Sequence, residues 1–477
     1  MIGLNPQALL TALFAAALCL ASPCDRANDA PPTLSWNPSG ADKVMLEDLE
    51  HRTFNYFWET ADPVNGLIPD RFPTPSFASI AAVGFALTAY PIGAERGYIT
   101  RAQAADRVRR TLKFFLNSRQ GPERHGQTGF HGLYYHFLDL KTGQRYRDSE
   151  LSTIDTALLM AGVLTSAQYF TALEPVEVEI RRVADELYRR VDWSWITHAD
   201  GGVAMGWRPE AGPMRDNWKG YNEGILIYIL GLGSPTHPLP DTAWSVWTST
   251  YADNWRSEYG QTYLAYPTLF VHQFTPIWID PRGIRDSFMR ARDLDYFENS
   301  RRATYANRAY AIANPEGWSG YGERLWGLTA SDGPGDTRHS YHGKRQQFSG
   351  YSARGIALFD DGTLAPNGPI GSIAFAPELA IPAITEMKQR FGDHLYSTYG
   401  FLDAFNPSFK FKSVTGTVIK GLGWFDVDYL GIDEGLIISM IENYRSGMIW
   451  ALMRTNPYLR RGLERAGFSG GWLEATH

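Results

Sequence analysis

About a dozen segments of this chain carry apolar residues at helical spacing and very few alternate them in twos, so the core has to be helix packed on helix. Met45, Leu49, Thr53, Tyr56 and Phe57 form one face of an early helix. Ile180, Val183, Leu187 and Val191 form another, with Pro175 at the position proline favours at a helix start. Ala102 to Leu116, Thr153 to Phe170, Glu223 to Leu232, Ile284 to Arg292, Leu379 to Phe391 and Leu436 to Met453 continue the pattern. Strand signals are confined to Tyr134–Tyr146, which predicts a hairpin around Lys141–Gly143, and to Phe409–Asp428. The expectation is an all-α chain, an α/α toroid with minor β-hairpins whose long loops build a groove at one end.

At 477 residues a length prior alone would suggest about three domains, yet no linker, low-complexity tract or short repeat divides the chain after the first forty residues. One domain over residues 41–470 is therefore expected, preceded by an extension over 22–40. Ala8 to Ala21 is an apolar run too short to span a bilayer and is followed by small, then polar residues, as in a secretory leader. Export across an inner membrane to the periplasm follows, with no membrane span in the mature chain. Cys19 and Cys24 are the two cysteines, so no disulfide framework is available, and Pro23 argues against lipidation of Cys24. The net charge of -6 comes with scattered basic residues and short pairs such as Arg109–Arg110, which excludes a phosphate-tracking stripe and with it nucleic acid as a partner. The protein is expected to be a monomer.

The stretch from Asp295 to Pro334 interleaves aromatics, amides and carboxylates, and five glycines break its second half. Trp318, Tyr321 and Trp326 beside Glu316 and Glu323 suit a sugar, which offers an apolar C–H face and a rim of hydroxyls. An aromatic core segment with solvated charges would have the same composition.

Several chemistries are absent: no G-x-S-x-G elbow, phosphate loop, dinucleotide fingerprint or H-E-x-x-H helix occurs. His339 and His342 lack a carboxylate or thiol partner and read as a solvated loop, so neither metal nor cofactor is expected. Carboxylates remain. Glu223, with Trp218, Tyr221 and Asn222 alongside, stands where a hydrophobic helix begins. A helix start favours its ionised form, so it can act as an acid only if burial or a neighbouring carboxylate raises its pKa. Asp433 precedes the most hydrophobic C-terminal helix, as an N-cap that stays ionised. One protonated and one ionised carboxyl are the requirement of glycoside hydrolysis.

The segments LSTIDTALLMAGVL, YNEGILIYILGLGSPTHP, Asp295–Pro334, DDGTLAP, APE, YGFLDAFNP and GIDEGLIISMIENYRSGMIW occur in that order. Together they resemble the glucoamylase-like domain of glycoside hydrolase family 144 and the related domain of cyclic β-1,2-glucan synthases, over about Met45 to Arg454. The resemblance implies an (α/α)6 toroid acting on β-1,2-glucan by inverting endo-hydrolysis. Glu223 then falls at the general-acid position and Asp433 at the base. Glu150, Asp155, Glu316, Glu323, Asp332, Asp361 and Asp403 lie in matching motifs as candidates to bind sugar hydroxyls. Asp155 also fits a capping box with Ser152, and Asp361 a turn. Glu442 and Arg445 read as an internal i, i+3 pair.

Glu434 stands where relatives carry Gln, adding a charge beside the expected base, and Gly335–Phe359 and Phe409–Leu430 look longer than in compact relatives. These departures bear on endo against exo action. A retaining transglycosylase, a hydrolase of α-linked glucan and a glucan-binding protein without catalysis are the competing readings.

Overall fold

Helices alternate between two burial patterns along the chain, and that alternation builds the architecture. The computed structural model describes residues 37–474, so the expected leader with Cys19 and Cys24, and most of the extension, lie outside the described residues. Six helices precede residue 234: α1 (Gly40–Thr60), α2 (Ile80–Glu95), α3 (Arg101–Asn117), α4 (Thr153–Tyr169), α5 (Pro175–Arg190) and α6 (Ile225–Gly233). The odd-numbered ones bury one face only, whereas α2, α4 and α6 are buried almost all round. A helix apolar on every side belongs inside other helices.

The second half repeats the scheme. Thr275–Trp278, Asn367–Gly371 and Gly431–Arg445 are buried, while Pro377–Phe391 and Pro457–Arg465 bury one side. The inner segments form a closed succession. Helix α2 packs on α4 and α4 on α6; the Thr275 hydroxyl reaches the carbonyl of Glu223 before α6 at 3.4 Å. Gln273 donates to the Gly368 carbonyl at 2.7 Å, and Gly431–Arg445 packs on both Asn367–Gly371 and α2. This is the α/α toroid that the periodicity predicts. No helix among the described residues is long and apolar enough to cross a membrane.

Local chemistry sets the ends of these helices. Ser39 with Asp42 and Thr100 with Gln103 form capping boxes on α1 and α3. Pro175 opens α5 as expected. No sheet among the described residues exceeds three strands. Phe409–Asp428 does contain a hairpin, Thr417–Ile419 against Gly423–Phe425.

Other elements differ from expectation for identifiable reasons. Ile284–Arg292 is helical only over Ser287–Arg290, because Asp286 caps a turn by accepting from the Met289 amide. Leu436–Met453 is two helices, broken where Gly447 takes a φ of 70°. The Tyr134–Tyr146 hairpin keeps its turn but only one bridge, Leu138 to Arg145, since Phe137–Leu138 pairs instead with Ala78–Ser79. Arg445 does not pair with Glu442; it reaches Glu47 and Glu50 on α1, and Glu442 binds Arg96 at 2.7 Å. His339 and His342 sit on a β-hairpin, Thr337–Tyr341 with Lys344–Phe348, and the His339 ring stacks on Phe411.

The two innermost helices meet at glycines. A Cβ on Gly162 would lie 2.0 Å from the Gly84 carbonyl oxygen, and one on Gly84 would lie 2.4 Å from the Leu158 carbonyl oxygen. Gly162→Ala therefore forces α2 and α4 apart and is expected to cost roughly 1–3 kcal/mol or more. Gly40→Ala, in open space at the start of α1, should not destabilise. Urea unfolding of both variants checks this, and equal midpoints would contradict it.

Candidate active site

The N-terminal ends of the inner helices gather around a cavity of about 330 Å³. Asp155 comes from the first turn of α4, Glu223 from just before α6, Phe274 from the start of Thr275–Trp278, and Asp433 from the first turn of Gly431–Arg445. All line the same space, with Trp218 and Tyr351. Helix N-termini are electropositive and stabilise anions, whereas burial disfavours them. The protonation states show which effect prevails at each carboxyl.

Glu223 precedes the N-cap Gly224 of α6, outside the helix it was expected to begin. No described residue hydrogen-bonds its carboxyl, so its proton faces the cavity. Burial, followed by repulsion from Asp155, pushes it up to about 8, against the opposing charge of His136. Tyr221 and Asn222, expected to bind substrate, do not line the cavity. The Tyr221 hydroxyl meets His272 Nδ1 at 3.0 Å, and Asn222 Oδ1 accepts from the Gly224 amide. Trp218 lines the cavity itself and donates through Nε1 to Thr153 Oγ1 at 2.9 Å.

A chain of three groups forms one wall. His136 lies 3.0 Å from Glu150 through Nδ1 and 3.4 Å from Asp155 through Nε2. Burial alone would lower its pKa, but the Asp155 charge and the Glu150 bond raise it to about 9. The same bond holds Glu150 down at about 2. Ser152 caps α4 by accepting from the Asp155 amide; its hydroxyl donates to the Asp155 carboxylate, so the capping box is only half made. His136 was not singled out in the sequence. Its place between Tyr135 and Phe137, in a segment read as a hairpin, carried no such signal.

The opposite member is Asp433, which sits inside the first helical turn and not at the N-cap, a position that Leu430 takes. Asn367 donates to its Oδ1. Burial pushes Asp433 up to about 7, with Glu434 and Asp332 repelling it, while hydrogen bonds from Asp403 and Asn367 oppose the rise. Asp403, fully desolvated and facing Asp433 and Asp332, lies well above the carboxylate range. Both carboxyls are raised by burial and titrate as a pair. Glu434 is also driven well upward by burial.

Behind Asp433 lies a layer of acids. The Asp332 amide donates to Asp403 at 2.6 Å, and its carboxylate takes Arg71 Nη1 at 2.6 Å. Oxygens of Asp332, Asp403 and Asp426 come within 4.8 Å of one another, the one such group among the described residues that could hold a metal ion. Arg71, also 3.6 Å from Asp428, supplies positive charge there. Neither Arg71 nor Asp426 was picked out in the sequence.

Of the Asp295–Pro334 stretch only Ala330 lines this cavity. Positive φ at Gly317, Gly320 and Gly327 turns the chain so that its rings pack inward. Trp318 stacks on Tyr341 at 4.7 Å, Trp326 is buried with Leu269 and Ala311, and the Tyr321 hydroxyl donates to Asp360 at 2.7 Å. Glu316 and Glu323 lie near Lys344 and Arg308 at the surface, each at 4.0 Å. Asp361 makes the expected turn, its Oδ1 accepting from the Thr363 amide at 3.1 Å, and is also fully buried against Arg354 at 2.7 Å.

Residues 215–457 match the family described as "Putative glucoamylase". The chain is 27% identical over 474 residues to the "Exo beta-1,2-glucooligosaccharide sophorohydrolase (non-reducing end)" of Parabacteroides distasonis. That match covers 92% of this chain, which spans about 60% of the length of that curated relative. Among solved structures, a "putative glucoamylase" from Bacteroides uniformis is 33% identical, with a TM-score of 0.79 over 92% of this chain and 100% of that one. The endo-β-1,2-glucanase of Chitinophaga pinensis, in complex with sophorotriose and glucose, is 28% identical, with a TM-score of 0.76 over 91% and 99%.

The His136 ring should remain an imidazolium through neutral pH. Its NMR-detected titration is expected near 9, moving down in Asp155→Asn because the anion that raises it is gone. Titration near the ordinary 6.5 would contradict the arrangement.

Proposed function

The chain belongs to the family described as "Putative glucoamylase", and from that premise we propose that it is a glycoside hydrolase cleaving β-1,2-linked glucan by an inverting acid/base reaction. The observation that carries the proposal is a pair of carboxyls on one cavity in unlike settings: Glu223 without a hydrogen-bond partner among the described residues and pushed up to about 8 by burial, Asp433 held by the Asn367 amide. The substrate comes from the relatives, whose names specify β-1,2-glucans in Parabacteroides distasonis and Chitinophaga pinensis.

In this reaction the Glu223 O–H gives its proton to the leaving O2 as the glycosidic C–O bond breaks. Water adds to the anomeric carbon and Asp433 takes the proton that water loses, directly or through a substrate hydroxyl. Inside a 1,2-linked chain the 2-hydroxyl already carries the next sugar, so the usual transition-state contact to it is unavailable and other hydroxyls must serve. Asp155 and Glu150, with His136 between them, offer acceptors for such hydroxyls on the cavity wall.

Cleavage within the chain is the mode the motifs imply. A second reading, release of short units from a chain end, is favoured by the cavity volume of about 330 Å³, near the lower end of the range of roughly 300–1,000 Å³ for ligand pockets. Sizing of the earliest products separates the two modes, and NMR of the first-formed anomer separates inversion from retention. Export to the periplasm rests on Ala8 to Ala21 alone and stands as part of the same proposal.

Turnover of β-1,2-glucan requires the acid form of Glu223, so the rate should fall as pH rises through about 8. Glu223→Gln should lose turnover at every pH, by roughly 10²–10⁴-fold, with binding of β-1,2-gluco-oligosaccharides retained. Near-normal turnover by this variant would refute the role.

A further inference from the structure

Most aromatic rings on the cavity are already engaged. Phe270 and Phe274 lie 5.3 Å apart and pack on each other, and Trp218 is almost fully buried with its Nε1 bonded to Thr153. Tyr351 differs. Its side chain is 58% exposed, and neither its ring nor its hydroxyl has a partner among the described residues. A lone exposed ring is ordinary on a convex surface. Here the ring stands on the wall of a cavity that also holds Glu223 and Asp433.

The backbone beneath this ring is held on both sides. The Ser349 amide donates to Asp361 Oδ2 at 3.1 Å and the Gly350 amide to Asp336 Oδ1 at 3.2 Å. The buried Arg354 guanidinium reaches the carbonyls of Ser349, Gly350 and Ser352 at 3.1–3.3 Å, and those of Ser331 and Asp332 at 2.8 and 3.2 Å. Its ion pair with Asp361 fixes the guanidinium in turn. Ser352–Ala353 pairs with Ala330–Ser331, and Ala330 also lines the cavity. Gly333 is part of the device, because a Cβ there would meet Arg354 Nη2 and the Ser349 oxygen, each at 2.3 Å. A segment this firmly tied that leaves its one ring unpacked is organised to present that ring.

We infer that Tyr351 is the platform on which a glucosyl ring of the substrate stacks, a specificity-determining residue positioned by Arg354 and Asp361. The inference rests on the glucan-hydrolase reading and names a contact within it. A β-glucosyl ring turns C–H bonds to a face that suits an aromatic surface, and a fixed platform aligns the ring at little cost in lost freedom. The platform belongs to the Gly335–Phe359 stretch, which looks long beside compact relatives, so it would set which chain segment this protein prefers.

The test compares wild type, Tyr351→Ala and Tyr351→Phe in hydrolysis of β-1,2-gluco-oligosaccharides of defined length. Calorimetric binding of the same sugars to Glu223→Gln with and without Tyr351→Ala accompanies it. Tyr351→Ala should raise KM and weaken binding by roughly 2- to 12-fold, leaving kcat and the thermal midpoint near wild type because the side chain makes no hydrogen bond and stacks on no other ring. Tyr351→Phe should restore both. Unchanged KM and binding in Tyr351→Ala, or a phenylalanine variant as impaired as alanine, would overturn the platform. Wild-type protein that releases no reducing ends from any β-1,2-glucan, and does not bind it, would overturn both the platform and the functional reading, and so is distinguished from failure of the platform alone.

Discussion

Desolvation of carboxyl groups at helix N-termini is the interaction on which the site depends. The starts of the inner helices are electropositive and would hold acids ionised if water could reach them. The toroid removes that water. At Glu223 burial prevails and the proton stays, whereas at Asp433 hydrogen bonds from Asn367 and Asp403 offset part of the same penalty. Two carboxyls near the starts of two inner helices, one before the N-cap and one in the first turn, thus differ through their neighbours.

The scaffold makes this possible by bringing the inner helices unusually close. Gly84 against Gly162, and Gly435 against the Phe85 ring, let α2 sit at the centre of α4 and Gly431–Arg445. Asp155 and Asp433 then face one cavity from the starts of two different helices. Arginines supply the remaining order. Arg71 neutralises part of the acidic layer behind Asp433, and Arg354 ties down the segment that carries Tyr351. Both are buried or half-buried, and their charges are matched by named carboxylates, which is how such groups persist in an interior.

The fold was legible because helix burial leaves a period in the sequence. α3 and α5 show it as amphipathic faces, and the even-numbered helices as unbroken apolar runs. Glu223 and Asp433 could be singled out because each stands at the start of such a run within a recognisable motif. What the sequence did not reveal depends on neighbours remote along the chain. The upward shifts of Glu434, Asp403 and His136 all arise from groups that tertiary packing alone brings together. The aromatic stretch around Trp318 and Trp326 misled for a related reason: its composition suits a sugar, but positive-φ glycines fold its rings into the core. Tyr351, a single ring in a polar stretch, left no pattern at all.

The account turns on Glu223 being a carboxylic acid at neutral pH. Infrared difference spectroscopy between wild type and Glu223→Gln reads that state directly. The account predicts a protonated-carboxyl C=O band in wild type at pH 7 that is absent from the variant and disappears as pH rises through about 8. A carboxylate band in its place at pH 7 would mean that the helix terminus, and not burial, governs the group, and the proposed acid would have no proton to give.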